Sequence, residues 1–363
     1  MRRIAQLAFA ATFVIVLFGA TAVSYVRMAA DRFPSLSWRV NTWRWYPPRF
    51  EAALSDHLAA RDSLLGWHAR FKLHTLRTSP TPRVWLGSDG WLFYNHWADM
   101  GAANLPSEFF DRAVERWDKV MRARREWCEA RGIELRIVVV PDKQTVYPER
   151  LPPVVRDRHD ERLLDRTLER LRAEPAVPVI DLRPELLAAK GYGSVYYRND
   201  THWTPMGSYI GAARVVEGLA GVLSGGVPPP WLMVRHVLQR RNLGDLWRKA
   251  GMQPPPPEEP VLVPERPGVR AHRTGEKVSV DDTVRLRYLD PVVWEGGTGP
   301  RAVLFHDSFA DWEFQSLLAD RCERLVSVAS YQFIDEVVRR ERPKVVVCEL
   351  VERTLLNLPP SLK

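Results

Sequence analysis

Two short segments of this 363-residue chain carry the residue types that acyl chemistry requires. In Tyr197-Arg198-Asn199-Asp200-Thr201-His202-Trp203-Thr204-Pro205-Met206-Gly207, an aspartate and a histidine stand two positions apart just before a helical stretch. In an extended segment such residues project to the same side. Asp200 can therefore steady the His202 imidazole and favour the imidazolium that forms when it takes a proton. In Ala302-Val303-Leu304-Phe305-His306-Asp307-Ser308-Phe309, an apolar strand runs into a polar turn with Ser308 at the bend. A serine there presents its hydroxyl at the strand end, and its amide, near the start of a helix, can face charge developing on a tetrahedral intermediate. Each segment taken alone also reads as a helix cap, Asp307 and Ser308 in one case, an Asp or Thr beside a structural histidine in the other. Together they say more. Serine is a poor nucleophile without a base, and the base needs a group that orients it.

The elements that would hold these groups alternate between helices and short strands. Helical periodicity over 47–76 puts Phe50, Leu54, Leu58, Leu64 and Leu65 on a shared side. The run from Val84 to Tyr94 is a hairpin signal with Asp89-Gly90 at its turn. A helix over about 106–131 stops at Gly132 and leads into strand 135–140. Helix 159–173 leads to strand 177–181, and after a polar loop 205–219 is helical. Strand 302–305, a helix, strand 324–328, a helix from about 333 and strand 345–347 complete the series. Strands separated by helices predict an α/β fold with a parallel sheet covered by helices on both faces. Ligands gather at the carboxyl ends of such strands. Residues 250–275, with Pro254 to Pro257 consecutive, read as a Pro-rich excursion without a core of its own.

The front of the chain predicts location. Met1-Arg2-Arg3 precedes Ile4 to Val26, 23 positions without a charge, which exceeds the ~20 a transmembrane helix needs. Arg2 and Arg3 place the N-terminus in the cytoplasm, so residues 1–30 form the tip and signal-anchor and 31–363 an extracytoplasmic domain. Ala20-Thr21-Ala22 also resembles a cleavage site, so a removed signal peptide is the alternative. With 45% hydrophobic and 26% charged residues the chain is globular, not disordered. Its 52 basic residues against 44 acidic ones give +8, but no Lys/Arg-rich block resembles a nucleic-acid-binding arm. The charge suits an acidic polymer or an anionic membrane surface without selecting either. Cys128, Cys322 and Cys348 cannot all pair, and two of them adjoin apolar segments, so buried thiols are expected; no metal-ligand spacing is present. Fourteen tryptophans are more than a chain of this length ordinarily carries.

An ordered set of motifs carries a resemblance. Asp200-Thr201-His202-Trp203, His306-Asp307-Ser308-Phe309, the hairpin Gly90-Trp91-Leu92-Phe93-Tyr94, Pro141-Asp142-Lys143 with Tyr147-Pro148-Glu149-Arg150-Leu151-Pro152, and Val351-Glu352-Arg353 together resemble the alginate O-acetyltransferase family of the AlgJ/AlgX type. The resemblance spans about 47–357. It implies an SGNH-hydrolase-like fold and the decoration of an exported bacterial polysaccharide, alginate-like or another exopolysaccharide. It also implies a catalytic triad of Ser308, His202 and Asp200 whose Asp-x-His segment precedes the serine. His306 stands where a glycine of the Gly-Asp-Ser block would be, and without a carbohydrate-binding module after 357 the chain is closer to membrane-anchored AlgJ-like members.

The mechanism that follows has His202 deprotonating Ser308, Asp200 supporting His202, and an acetyl-serine passing its acetyl group to a sugar hydroxyl. Arg198 and Lys143 are candidates to hold an acidic sugar, Trp203 to stack on a sugar face, and Tyr331 to reach the same sheet edge. No bound cofactor is expected. With the domain outside an inner membrane, in the periplasm, the resemblance implies a membrane-bound O-acyltransferase (MBOAT) partner that supplies acetyl groups. A carbohydrate acetylesterase using the same triad and a non-catalytic polysaccharide-binding scaffold of an export complex are the rival readings.

Overall fold

The computed structural model describes residues 61–96, 107–156, 162–223, 234–239, 244–252, 259–265, 269–278 and 291–357. The expected membrane anchor over 4–26 and the helix start at 47–60 lie outside these residues. The chain divides into two compact units, residues 1–80 and 81–363. In the first, α1 (Arg61–Arg70) runs into a π-helical turn, Phe71–Thr75, with the Trp67 and Phe71 rings stacked 5.5 Å apart.

The second unit opens with the expected hairpin, β1 (Val84–Leu86) and β2 (Leu92–Tyr94), whose turn places both Asp89 and Gly90 at positive φ. Helix α2 (Ser107–Glu129) buries Ala113, Trp117, Met121, Arg124 and Cys128 at helical spacing. It ends where Gly132 takes φ 64 and Ile133 N donates back to Cys128 O at 3.0 Å. There follow β3 (Glu134–Val140), α3 (Arg162–Arg172), β4 (Val179–Asp181), α4 (Arg183–Ala189) and α5 (Pro205–Gly218). Next come β5 (Val234–Gln239), α6 (Asp245–Lys249), β6 (Glu259–Pro264), β7 (His272–Arg273) and β8 (Val292–Glu295). The series closes with β9 (Arg301–Phe305), α7 (Trp312–Ala319), β10 (Arg324–Val328), α8 (Asp335–Glu341) and β11 (Val345–Val351).

The main sheet has the order β4-β3-β11-β9-β10-β8-β7. Its first five strands are parallel, as expected, but β8 runs antiparallel to β10 and β7 antiparallel to β8. The sheet is therefore mixed, a correction to the all-parallel expectation. β8 is only four residues between Pro291 and Gly296-Gly297, and β7 is only two, too short for period-2 alternation to show.

Alternate residues of the parallel strands bury opposite faces, and both faces are apolar. Val138, Val140, Leu304, Val345 and Val347 join a core with residues of α4, α5 and α7. Ile137, Val139, Val303, Phe305, Val326 and Val346 join a second core with residues of α2, α3 and α8. The Pro-rich excursion 250–275 contains a strand. Within it β6 pairs in antiparallel register with β5, and Val261 and Leu262 are buried. Pro260 and Pro264 fall within β6, which belongs to a two-stranded ribbon and so tolerates missing donors. The three cysteines are buried free thiols, as expected.

Candidate active site

The Asp-x-His segment is the tip of a tight hairpin. Tyr196 and Trp203 form an antiparallel bridge, Tyr197 N donates to His202 O at 3.2 Å, and Thr204 N donates to Val195 O at 2.9 Å. Thr204 then caps α5, accepting from Gly207 N, with Pro205 in the first turn where its missing N–H costs nothing. Leu92 N of β2 donates to Arg198 O at 2.9 Å, and Trp247 N of α6 donates to Asn199 O at 3.2 Å. The approach of α6 requires a glycine: Gly244 has φ +59, and a Cβ there would stand 2.6 Å from Asn199 O. From below, the Lys143 ammonium donates to the carbonyls of Tyr197, Arg198 and Asp200 at 2.7, 2.8 and 3.0 Å.

The hairpin tip brings His202 to Ser308 at the carboxyl end of β9. His202 Nε2 lies 2.8 Å from Ser308 Oγ, and His202 Nδ1 lies 2.6 Å from Asp200 Oδ1. An ionised carboxylate only accepts, so this pairing assigns the proton to Nδ1 and leaves Nε2 to accept from the serine hydroxyl. Asp200 is itself fixed. Its Oδ1 also accepts from His202 N at 2.9 Å, and its Oδ2 accepts from Asp245 N at 2.9 Å. Asp245 in turn accepts from Thr201 N at 2.7 Å and from the Thr201 hydroxyl at 2.6 Å. The side-chain ligand atoms of Asp200, His202 and Asp245 lie within 4.8 Å of one another, and all are engaged in these internal hydrogen bonds. The Phe309 ring, 4.9 Å from the imidazole, backs it with an apolar surface.

Asp307 shapes the serine turn. Its Oδ1 accepts from Phe309 N at 2.8 Å, and its Oδ2 accepts from Val351 N at 2.9 Å and from the Tyr331 hydroxyl at 2.7 Å. Asp307 N donates to Glu349 Oε2 at 3.0 Å. Burial, and then the Asp307 charge, push the Glu349 carboxyl well above the usual range. His306 points inward: Nδ1 donates to Asp307 O at 2.6 Å and Nε2 accepts from the Ser327 hydroxyl at 2.8 Å. Burial lowers its pKa, so a neutral imidazole fills the place of the expected glycine and takes no part in the hydrogen-bonded chain to Ser308.

A family profile described as "SGNH hydrolase-like domain, acetyltransferase AlgX" matches residues 84–283, more than half of the chain. The chain belongs to this AlgX-type acetyltransferase family. It is 27% identical over 296 residues to the "Probable alginate O-acetylase AlgJ" of Pseudomonas aeruginosa, covering 78% of this chain and 73% of that one. The O-acetyltransferase domain of Pseudomonas putida AlgJ superposes with a TM-score of 0.51 at 19% identity, over 77% of this chain and 95% of that domain. Bacillus cereus PatB1, solved with a sulfonyl adduct, gives 0.52 at 12% identity, over 76% of this chain and 100% of that one. Likenesses at such identities show the fold.

Of the side chains expected at the substrate, this AlgX-family member exposes Arg198, whose side chain is 46% accessible and lies 3.9 Å from Glu259. Lys143 and Trp203 are corrections. Lys143 is buried beneath the hairpin, its charge spent on three carbonyls. Trp203 is fully buried, stacked on Phe314 and edge-on to Phe309, so no sugar reaches its face. Tyr331 does reach the serine edge, but its hydroxyl is taken by Asp307 and by Thr354, at 2.6 Å. Asp245 and Glu349 escaped the sequence reading. Neither sits in a patterned spacing, and only the folding of distant segments brings them to the two turns.

Proposed function

We propose that this protein transfers acetyl groups, through an acetyl-serine, to hydroxyls of an exported polysaccharide. The observation that carries the reading is the continuous hydrogen-bonded chain from Ser308 Oγ through His202 to Asp200, at the carboxyl end of β9. His202 Nε2 takes the serine proton as Oγ attacks the acetyl carbonyl of the donor, and the resulting imidazolium is stabilised by Asp200. The leaving group departs with that proton, giving the acetyl ester of Ser308. A sugar hydroxyl then attacks the ester, its proton passing through His202 to Ser308 Oγ as the acetyl group leaves. The Ser308 amide, at the turn fixed by Asp307, supplies one donor to the tetrahedral oxyanion.

The names of the relatives support a polysaccharide acceptor. The charge-free run at 4–26 supports a catalytic domain outside the inner membrane. Acetyl-CoA is cytoplasmic, so this reading needs a membrane-bound O-acyltransferase to pass acetyl groups across.

The test uses the purified full chain with a chromogenic acetyl ester, with and without alginate oligosaccharide. Acetylated oligosaccharide is expected from the parent, and Ser308→Ala is expected to lower its formation at least about a thousandfold. Acetate alone would identify an esterase, and undiminished transfer by Ser308→Ala would remove the triad from the reaction.

A further inference from the structure

Trp312, four residues after Ser308 and first in α7, is half exposed, whereas Phe314 to Ala319 of the same helix are buried. Asp311 caps α7 and accepts from the Ser208 hydroxyl of α5 at 2.5 Å, fixing the residue just before it. Trp312 itself lies against Trp294 of β8, ring centroids 4.7 Å apart. Trp294 is fully buried, and its indole N–H donates to Gln315, 3.2 Å away. Gln315 in turn donates to Ala310 O at 2.6 Å. The tryptophan pair is thus tied by two hydrogen bonds to the backbone of the serine turn.

Over both rings lies one cation. The Arg273 guanidinium of edge strand β7 stands 5.1 Å from the Trp294 centroid and 4.8 Å from that of Trp312. Among the described residues no carboxylate pairs with it. Partial burial lowers its pKa. A solvent-facing indole beside a guanidinium that no described carboxylate pairs offers what a sugar with an anionic substituent needs, an apolar face and a partner for a carboxylate.

We propose that Trp312 and Arg273 form an acceptor subsite for an anionic glycan strand, Trp312 packing on a pyranose ring and Arg273 pairing with a carboxylate or other anionic group on it. The assignment of an acceptor rests on the acetyltransferase reading; the binding itself does not. Trp203, the tryptophan that its place beside His202 singles out, is sealed in the core, whereas Trp312 stands half exposed at the start of the helix that follows the serine turn.

The test is titration calorimetry on the full chain carrying Ser308→Ala, so that no transfer occurs, with an alginate oligosaccharide and a neutral gluco-oligosaccharide of equal length. Adding Trp312→Ala or Arg273→Gln is expected to weaken alginate binding about tenfold or more. Arg273→Gln should also erase the preference over the neutral sugar and flatten the salt dependence. Trp67→Ala, at an exposed tryptophan of the other unit, should bind like its parent. Thermal melts establish that each variant is folded, and Arg273→Gln, on an exposed edge, stands as the second variant if Trp312→Ala is unstable. The proposal is overturned if the parent binds neither sugar, if it binds both equally, or if both variants stay within about twofold of it. Undiminished acetyl transfer by Ser308→Ala would instead overturn the functional reading, leaving the titration to judge the subsite.

Discussion

Lys143 Nζ lies 3.0 Å from the backbone carbonyl of Asp200, and the same ammonium reaches the carbonyls of Tyr197 and Arg198. One buried cation thereby ties down three carbonyls of the hairpin that carries the histidine. Its aliphatic stem is enclosed, and the Trp91 and Phe93 rings face the charge at 5.1 and 5.2 Å. Desolvation lowers its pKa to about 7, against the opposing pull of Asp200, Asp245 and Glu259. Hydrogen bonds to a charged group are worth about 1.5–3 kcal/mol each in favourable cases, so the position of Asp200 depends on this amine.

Lys143→Met keeps the stem and removes the donor. Because Lys143 acts through the hairpin and is buried away from any substrate, kcat for acetyl transfer should fall by roughly 10- to 100-fold while KM for the donor ester changes little. Steady-state kinetics with the chromogenic ester checks this. A variant with unchanged kcat would show that the hairpin holds its geometry without the lysine, and a selective rise in KM would return Lys143 to the substrate.

Asp307 makes three side-chain hydrogen bonds, and all three partners donate. Asp307→Asn leaves an NH2 group facing one of those donors, at a cost of about 1–3 kcal/mol. Tyr331→Phe removes one donor instead and should cost about 1 kcal/mol. Urea unfolding should therefore order the proteins parent, Tyr331→Phe, Asp307→Asn in falling stability. Equal midpoints for Asp307→Asn and the parent would mean that the carboxylate does not hold the turn.

How far the sequence discloses this site depends on the range of the interactions. Asp200, His202 and Ser308 belong to local motifs, a polar pair ahead of a helix and a serine ending an apolar strand, and both are visible in a few residues. The parallel strands β3, β9, β10 and β11 likewise announce themselves by apolar runs between helices. The antiparallel edge does not: β7 and β8 are short, and β6 contains two prolines that argue against a strand until β5 is seen beside it. Burial is the other quantity that the local sequence leaves open. Trp203 and Trp312 adjoin the Asp-x-His and serine motifs, and only the packing of α5 against α7 determines that one is enclosed and the other exposed.

That difference is measurable. Trp203 has no exposed surface and touches Phe309 and Phe314, so Trp203→Ala should lose about 3–5 kcal/mol of folding stability. The loss should appear in chemical denaturation without any sugar present. If Trp203→Ala unfolded like the parent yet bound oligosaccharide more weakly, the burial assigned to this ring would be wrong.

Glu352 gives the last prediction. One carboxylate oxygen accepts from Asp142 N at 2.8 Å and from the Thr145 hydroxyl at 2.7 Å. Burial, followed by the nearby Asp142 charge, pushes its pKa up to about 8 from a model-peptide value of 4.5. Between those two values the folded protein binds more protons than the unfolded chain, so stability falls as pH rises. The contribution is complete below about 4.5 and is lost as pH passes through about 8. Glu352→Gln retains an acceptor oxygen for Asp142 N and Thr145 but cannot ionise. Melting curves at about pH 5 and about pH 9 should show the Tm of the parent dropping relative to Glu352→Gln across that window. Parallel pH profiles for the two proteins would mean that Glu352 is ionised in the fold throughout, and the opposite crossing would mean that a neighbouring cation holds its pKa down.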